Sequence, residues 1–330
     1  MKKRVLLFPI KVILAMVTAF VILNLICMLY CNFAIHSHSE TGSTDYVWEK
    51  NKFYSRGTEG FAYGVTDANG FNNLKTFNKG DIDVLVMGSS HMEAFNVSQD
   101  KNTAAVLNEK NRSANIDMNT YNIGTSGHVL VRCLNNAPKA IDEFAPQKYL
   151  VIETSSVTPD VELMEKALAG TLKPIPSYNG GIVGKLQRFP FLRRAYNQIE
   201  NLMNNGDSQE TEKAQPTKGC YVLFDELLGS VDRICDEKGI KLVILYQCSL
   251  NIDEDGQVLP QDNVRDIEKF KSVCDKYGVT FVDMYEPFKE NYDRTNNLPH
   301  GFSNSRIGRG HLNEKGHGLI ADKLFGTLCK

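Results

Sequence analysis

The sequence lacks an excess of charge of either sign. Its 37 Lys and Arg residues are matched by 39 Asp and Glu residues, which gives a formal net charge of -2. Such a balance supplies neither the basic field that nucleic-acid binding needs nor an acidic interaction tail. We therefore predict that the protein does not bind nucleic acid.

Signatures of metal and nucleotide sites are missing as well. Of the 8 cysteines, Cys27 and Cys31 lie in an apolar run near the N-terminus, and the other six are scattered without the close pairs of a zinc site. No His/Cys/Asp cluster has metal-ligand spacing, and no glycine-rich loop has a nucleotide fingerprint. The sequence therefore predicts no metal and no other cofactor. It leaves open whether the cysteines are disulfides or buried thiols.

One long apolar run lies near the N-terminus. No side chain from Val12 to Ala34 is charged, and a run of this length can cross a hydrocarbon core of about 30 Å. Basic residues precede it: Lys2, Lys3, Arg4 and Lys11. The positive-inside rule then predicts a single-pass protein of the cell membrane with a cytoplasmic N-terminus and an extracytoplasmic main domain. A cleaved signal peptide is the alternative, which the bulky end of the run disfavours.

The chain divides into four parts by composition. Residues 1–11 form a basic N-terminus and 12–34 the transmembrane anchor, while 35–80 are polar, rich in Gly and Asn, and predicted to be a stalk and lead-in. A domain over 81–330 follows, in which short apolar runs alternate with helical patterns. The runs are Val84–Met87, 118–123, 149–152, Lys241–Tyr246 and Thr280–Asp283. This alternation predicts an α/β fold with a parallel sheet, whose active site lies at the carboxyl ends of the strands.

The alternation stops between residues 159 and 218. This stretch contains proline and glycine pairs, a basic run and a polar tract. It is too long for an ordinary connection. We interpret it as an insertion over the site.

A serine lies where an apolar strand is predicted to turn into a helix. Ser90 follows Val84–Met87 and Gly88-Ser89, so its hydroxyl is expected at the carboxyl edge of the sheet with backbone N–H groups beside it. That position suits a nucleophile facing a developing oxyanion, although a serine there can also be a helix N-cap. His311, shortly before a predicted terminal helix, is the candidate base.

Three blocks, in order, resemble the SGNH/GDSL hydrolase superfamily. Gly88-Ser89-Ser90 is similar to its Gly-Asp-Ser turn, Asn122 to Gly127 to its second block, and His311 with the helix after it to its last block. The resemblance implies a three-layer α/β/α, flavodoxin-like domain with about five parallel strands. It also implies that Ser90 is the nucleophile, Gly127 the oxyanion glycine and His311 the base.

Two positions depart from the family pattern. Gly308 stands where the family has the triad aspartate, and Glu153-Thr154-Ser155-Ser156 stands where it has Gly-x-Asn-Asp. We predict an oxyanion hole from the N–H groups of Ser90 and Gly127, with a hydroxyl of Thr154, Ser155 or Ser156 as third donor. A backbone carbonyl, Glu153 or Asp283 is expected to orient His311.

The anchor followed by Gly-Ser-Ser-His resembles extracytoplasmic proteins of bacterial envelope acylation, related to the alginate O-acetylation and D-alanyl-lipoteichoic acid families. This implies a serine esterase or O-acyltransferase that acts on acylated envelope glycans beside a membrane-bound O-acyltransferase. His91, His128 and Arg309 are the predicted substrate contacts. The alternative is a non-catalytic binding or assembly subunit with the same fold, which the two departures favour.

Overall fold

The computed structural model describes residues 2–32, 35–176, 185–186, 188–204, 219–254 and 256–329. The helices are α1 (Lys2–Tyr30), α2 (Ser90–Glu93), α3 (Thr103–Ser113), α4 (Leu130–Phe144), α5 (Val161–Leu168), α6 (Pro190–Asn204), α7 (Cys220–Lys238), α8 (Val264–Lys276), α9 (Tyr285–Thr295) and α10 (Glu314–Leu328). The strands are β1 (His36–His38), β2 (Tyr46–Trp48), β3 (Phe53–Arg56), β4 (Ala62–Val65), β5 (Val84–Met87), β6 (Thr120–Asn122), β7 (Tyr149–Thr154), β8 (Lys241–Tyr246), β9 (Leu250–Ile252), β10 (Val258–Pro260) and β11 (Thr280–Asp283).

A five-stranded parallel sheet with the order β11-β8-β7-β5-β6 forms the centre of the domain. With its strands numbered along the chain, the order is 2-1-3-4-5, which is the flavodoxin-like arrangement. All four residues of β5 are buried, as expected for a strand covered on both faces. The helices pack in two groups, α3 with α10, and α4 with α5, α7 and, through α7, α8. The predicted α/β class and five parallel strands are confirmed.

Residues 35–80 pack into the domain as two antiparallel hairpins, β1–β2 and β3–β4, with the connections that follow them. Tyr54 is buried, and its hydroxyl donates to Asn72 Oδ1 at 2.9 Å. Asp67 accepts hydrogen bonds from the N–H groups of Asn69 and Phe71 and from the hydroxyl of Tyr121. Strands of three or four residues are too short to show a clear alternation of apolar and polar side chains. Hydrogen bonds from side chains stabilise the connections between them. A stalk-like composition here therefore belongs to folded structure.

Asp45 ties the first hairpin to the domain. Its carboxylate accepts from Arg132 Nη1 at 2.7 Å, from Asn136 Nδ2 at 2.9 Å and from the Ile175 N–H at 2.9 Å. Burial alone would raise the pKa of Asp45, but polar contacts from His128, Asn136 and Ile175 hold the pKa well below its ordinary value. Asp45 thus stays ionised and joins β1–β2, α4 and the start of the predicted insertion.

The end of α1 is docked on β3. Ser55 donates its N–H to Asn32 O at 2.7 Å and its hydroxyl to Met28 O at 2.8 Å, and the Asn32 N–H donates back to Ser55 Oγ at 3.0 Å. The segment Phe8–Tyr30 is long and apolar enough to cross a membrane. The domain therefore begins directly at the end of this helix.

The predicted insertion at 159–218 contributes α5 and α6, while residues 177–184, 187 and 205–218 lie outside the described residues. All eight cysteines are free thiols, which answers the question that their spacing left open.

We expect Asp45→Ala to lower the free energy of unfolding by about 3 kcal/mol, because it leaves buried partners of the carboxylate unpaired. Urea denaturation of the detergent-solubilised chain measures the change. Asp100→Ala is the matched control, since its carboxylate is exposed and its loss should stay within about 0.5 kcal/mol. Equal effects of the two variants would contradict the structural role of Asp45.

Candidate active site

The turn Gly88-Ser89-Ser90 follows β5 at the carboxyl edge of the sheet. It carries the predicted nucleophile and is called the nucleophile turn below. Ser89 is the N-cap of α2 and its hydroxyl accepts from the His91 N–H at 3.3 Å. The capping role considered for Ser90 therefore falls to Ser89, and the Ser90 hydroxyl stays available. Gly88 must be glycine, because a Cβ there would lie 2.6 Å from Glu153 Oε2 and 2.7 Å from Met92 Cγ.

Ser90, His311 and Glu59 form a continuous hydrogen-bonded chain. Ser90 Oγ lies 2.9 Å from His311 Nε2, and His311 Nδ1 lies 2.6 Å from Glu59 Oε2. The backbone N–H of His311 also donates to Glu59 Oε1 at 2.7 Å. With Nδ1–H donating to the carboxylate, Nε2 is left to accept the proton of the Ser90 hydroxyl. The arrangement is that of an activated serine.

Glu59 is ionised in this arrangement. Burial would raise the pKa of its carboxyl, but hydrogen bonds from the side chain and backbone of His311 outweigh burial and lower the pKa below its ordinary value. A carboxylate at this position can fix the imidazole tautomer and stabilise an imidazolium.

Two close approaches position the Glu59 loop. Gly310 has φ of +86°, and a Cβ on it would overlap Glu59 Oε1. Asn304 accepts from the Gly60 N–H at 2.8 Å and donates to Gly57 O at 3.0 Å and to Gly60 O at 2.9 Å. The loop before His311 thereby holds the loop that carries Glu59.

Sequence reasoning missed Glu59. It lies in the connection between β3 and β4, far from His311 along the chain and outside every block that resembles the superfamily. The departure at Gly308 indicated that some other acid was needed, but the candidates considered were strand ends of the sheet. No spacing pattern links Glu59 to His311.

The structure corrects both predicted orienters of His311. Glu153 accepts at Oε2 from the N–H of Ser89 at 2.8 Å and from its hydroxyl at 3.0 Å, so its carboxylate lies under the nucleophile turn. Asp283 ends β11, three strands away from β5, or about 14 Å across a sheet with about 4.8 Å between strands. Its carboxylate accepts from the Tyr285 N–H at 2.8 Å. Neither acid contacts His311.

The predicted oxyanion donors lie beside the turn. The Thr125 N–H donates to Gly88 O at 2.9 Å, which joins the second block to the nucleophile turn. Gly127 has φ of +81°, where a side chain would be strained. Within the described ranges, neither the Ser90 N–H nor the Gly127 N–H has a hydrogen-bond acceptor. Both remain available to a developing negative charge.

A cavity of about 200 Å³ adjoins the turn. Its walls include Ser89, Ser155, Ser156 and the apolar residues Val129 and Leu163. Ser155 is exposed, whereas the hydroxyl of Ser156 pairs with that of Thr158 at 3.0 Å. The Thr154 hydroxyl donates to Ser156 O at 2.7 Å. Ser155 is therefore the least engaged of the three predicted hydroxyl donors.

The predicted substrate contacts have different surroundings. His91 accepts from the Leu312 N–H at 3.3 Å, and its ring packs against those of His300 and His311. His128 is buried, borders the cavity, and accepts from the Asp45 N–H at 3.1 Å.

Arg309 is exposed in the loop that precedes His311. Its substrate contact, like those of His91 and His128, stays a prediction.

Two buried histidines, His300 and His317, lie close to the candidate site. His300 Nε2 lies 2.7 Å from Gln247 Oε1, and Gln247 Nε2 donates to Glu153 Oε1 at 2.9 Å. Burial, with His311 nearby, lowers the pKa of His300 to about 4. Burial, with His300 and His311 nearby, lowers the pKa of His317 to about 3. Sequence reasoning identified neither His300 nor Gln247 as part of a network.

Comparisons with known proteins add a similarity of fold. No protein-family model matches the sequence, and no curated protein matches it either. Solved structures similar to it include the esterase EstA from Pseudoalteromonas sp. (11% identity, TM-score 0.41, 74% of this chain and 96% of that chain). Others are the acetyl xylan esterase AlAXEase (12%, 0.42, 74% and 99%) and a member of the lipolytic protein G-D-S-L family from Veillonella parvula (13%, 0.41, 76% and 99%).

The buried histidines predict acid-sensitive stability. Their pKa values are lower in the folded state than the value of about 6.5 in an unfolded chain, so the unfolded state binds more protons as the pH falls from about 6.5 towards 4. We expect the free energy of unfolding to fall in this window, by up to about 1.4 kcal/mol per pH unit for each group.

His317→Asn should make that decline shallower in urea denaturation at stepped pH. His38→Asn is the control and should leave the slope unchanged, because the imidazole of His38 is exposed. A slope that is the same in His317→Asn and in the parent would contradict the assignment.

Proposed function

We propose that the protein is a membrane-anchored serine esterase or O-acyltransferase of the SGNH type, acting on acyl esters of cell-envelope glycans. The observation that carries the proposal is the chain from Ser90 through His311 to Glu59, with contacts of 2.9 and 2.6 Å. The superfamily has an aspartate at the position of Gly308. Here the carboxylate of Glu59, from another segment, contacts the His311 imidazole in its place. Ser90 follows β5 at the carboxyl edge of the parallel sheet, where folds of this class keep their active sites.

The reaction follows from the positions of these groups. Ser90 Oγ attacks the acyl carbonyl while His311 Nε2 takes the hydroxyl proton, and Glu59 stabilises the imidazolium at Nδ1. The N–H groups of Ser90 and Gly127 stabilise the tetrahedral oxyanion. Collapse expels the alcohol, which receives the proton from His311, and leaves an acyl-enzyme. Water or a sugar hydroxyl, deprotonated by His311, then attacks the carbonyl of the acyl-enzyme. The ester bond to Ser90 breaks, Ser90 Oγ recovers the proton from His311, and a free acid or a new ester leaves.

The membrane placement supports an envelope substrate. The apolar segment Phe8–Tyr30 and the basic residues before it favour an anchor with a cytoplasmic N-terminus. Docking of Asn32 on Ser55 makes the helix end part of the folded domain, which favours retention of the helix over its removal as a signal sequence. A membrane-bound O-acyltransferase that supplies the acyl group is the partner we propose.

A non-catalytic binding or assembly subunit is the second candidate. Its motivation was the missing aspartate before His311 and the missing asparagine of the third block. The first motivation is weakened by Glu59. The second remains, since Ser155 offers only a hydroxyl where the superfamily has an amide.

We expect a fluorophosphonate probe to label the full-length protein at Ser90. Ser90→Ala should abolish labelling, and His311→Ala should nearly abolish it because the serine loses its base. Glu59→Gln should slow labelling by about 10²- to 10⁴-fold, since a neutral amide no longer fixes the tautomer or stabilises the imidazolium. In-gel fluorescence against time gives the rates.

Glu162→Gln is the matched control for Glu59→Gln. Its carboxylate is exposed and pairs with Lys166 on the surface of α5, so the labelling rate should not change. A folded protein that fails to label at all would favour the binding subunit. Full labelling of Glu59→Gln would remove Glu59 from the mechanism.

The small cavity predicts a preference for short acyl groups. Pockets that enclose drug-sized ligands measure about 300–1,000 Å³, and the cavity beside Ser89 measures about 200 Å³. We expect kcat/KM for p-nitrophenyl acetate to exceed that for the octanoate. Leu163→Ala, which enlarges the cavity, should narrow the difference, whereas an octanoate preference in the parent would contradict this role of the cavity.

A further inference from the structure

We propose that α6 is a second membrane-associated element, which enters the outer half of the bilayer beside α1 and binds a lipid surface with anionic headgroups. The inference rests on the proposed membrane span of α1. The proposal concerns the predicted insertion at 159–218, to which α6 belongs and for which the candidate active site gives no role.

The contact between α6 and α1 lies well inside the proposed span. The ring of Phe20 packs against Phe189 and Phe191, with centroid distances of 5.6 and 6.3 Å. Phe20 lies about 15 Å from Tyr30 along a helix that rises about 1.5 Å per residue. If Tyr30 marks the membrane surface, the start of α6 lies about halfway into a hydrocarbon core of about 30 Å.

Asn24 explains how a helix can begin at that depth. Its Nδ2 donates to Phe20 O at 2.8 Å, and its Oδ1 accepts from the Phe191 N–H at 3.2 Å. The residue before, Pro190, has no N–H to satisfy. An unpaired N–H is costly in hydrocarbon, and a polar side chain inside a span usually has a partner that accounts for it. Asn24 therefore serves the start of α6.

Apolar side chains are exposed on α6 and directly before it, next to the apolar helix α1. Phe189, Tyr196 and Ile199 are 46%, 44% and 58% exposed. Continuity with a helix whose own apolar window is unburied favours lipid as the material that covers both.

Basic side chains lie towards the proposed membrane surface. Arg193 Nη2 donates to Asn32 Oδ1 at 3.1 Å, just beyond the end of α1, and the neighbouring Arg194 is exposed. Arg193 is buried and holds α6 against the end of α1, whereas the exposed Arg194 can reach headgroup phosphates while its methylene groups stay in apolar surroundings. Lys185 and Arg188, just before Phe189, are exposed as well, and exposed apolar side chains together with basic ones are the composition that an anionic bilayer surface binds.

Two contacts with the membrane elements would fix the height of the active site. Ser55 is bonded to the end of α1, and the chain from Ser55 to Glu59 spans at most about 14 Å when extended. With α6 also held in the bilayer, the domain could not swing away. The site would then face esters presented close to the membrane surface.

Tryptophan quenching by lipids with brominated acyl chains tests the proposal. The full chain, with Tyr196→Trp on α6, is reconstituted into vesicles of phosphatidylglycerol and phosphatidylcholine, and the emission of the parent protein, which contains Trp48, is subtracted. Val17→Trp on α1 reports the span itself, and Val222→Trp, 71% exposed on α7, is the matched control outside the bilayer. We expect strong loss of emission at positions 196 and 17 and none at 222.

Each outcome has a separate meaning. Quenching at 17 without quenching at 196 overturns the proposal and indicates that solvent or a protein covers α6. No quenching at 17 overturns the proposed span itself. Arg194→Glu should reduce quenching at 196 in vesicles containing phosphatidylglycerol, and an unchanged value would overturn the preference for anionic lipid. Probe labelling of Ser90 in the same samples reads the proposed esterase site independently.

Discussion

The hydrogen-bonded chain from Ser90 to His311 to Glu59 is the interaction on which the site depends. Its members come from three segments: the turn after β5, the loop before α10 and the connection between β3 and β4. A contact of 2.6 Å tolerates little displacement, so each segment must be held independently. Gly310 permits the close approach of the Glu59 carboxylate, and Asn304 holds the loop that carries Glu59 in position. The hairpins before the sheet are therefore as necessary to the site as the sheet itself.

A second network supports the nucleophile turn from below. Glu153 accepts from both polar groups of Ser89 that face it and from Gln247, which in turn contacts His300. A buried carboxylate with three donors can remain in place where an unpaired one could not. Ser89 thus has the role of holding the turn, which leaves the hydroxyl of Ser90 to His311. The order of the two serines decides which is structural and which is exposed to chemistry.

The apolar helix α1 is fixed to the folded domain by hydrogen bonds and is not joined to it through a flexible tether. The helix end is hydrogen-bonded to Ser55 on β3, and the strand leads within a few residues to Glu59. A flexible tether would let the site sample a wide volume, whereas this junction holds it near the helix end. Under the proposed function, the anchor would therefore orient the catalytic acid and define the height at which substrate is met.

Local sequence patterns were enough to predict the five strands of the central sheet and two residues of the candidate site. Apolar runs such as Val84–Met87 are local patterns, so these strands could be predicted from neighbouring residues. Ser90 and His311 could be selected because their signals, a strand-to-helix turn and a position before the last helix, are also local. Three features became visible only in the folded chain: Glu59 faces His311, Glu153 lies under Ser89, and residues 35–80 are folded. Those pairings join residues far apart in the chain, and their energy arises from burial and hydrogen bonds that exist only once the chain has closed upon itself.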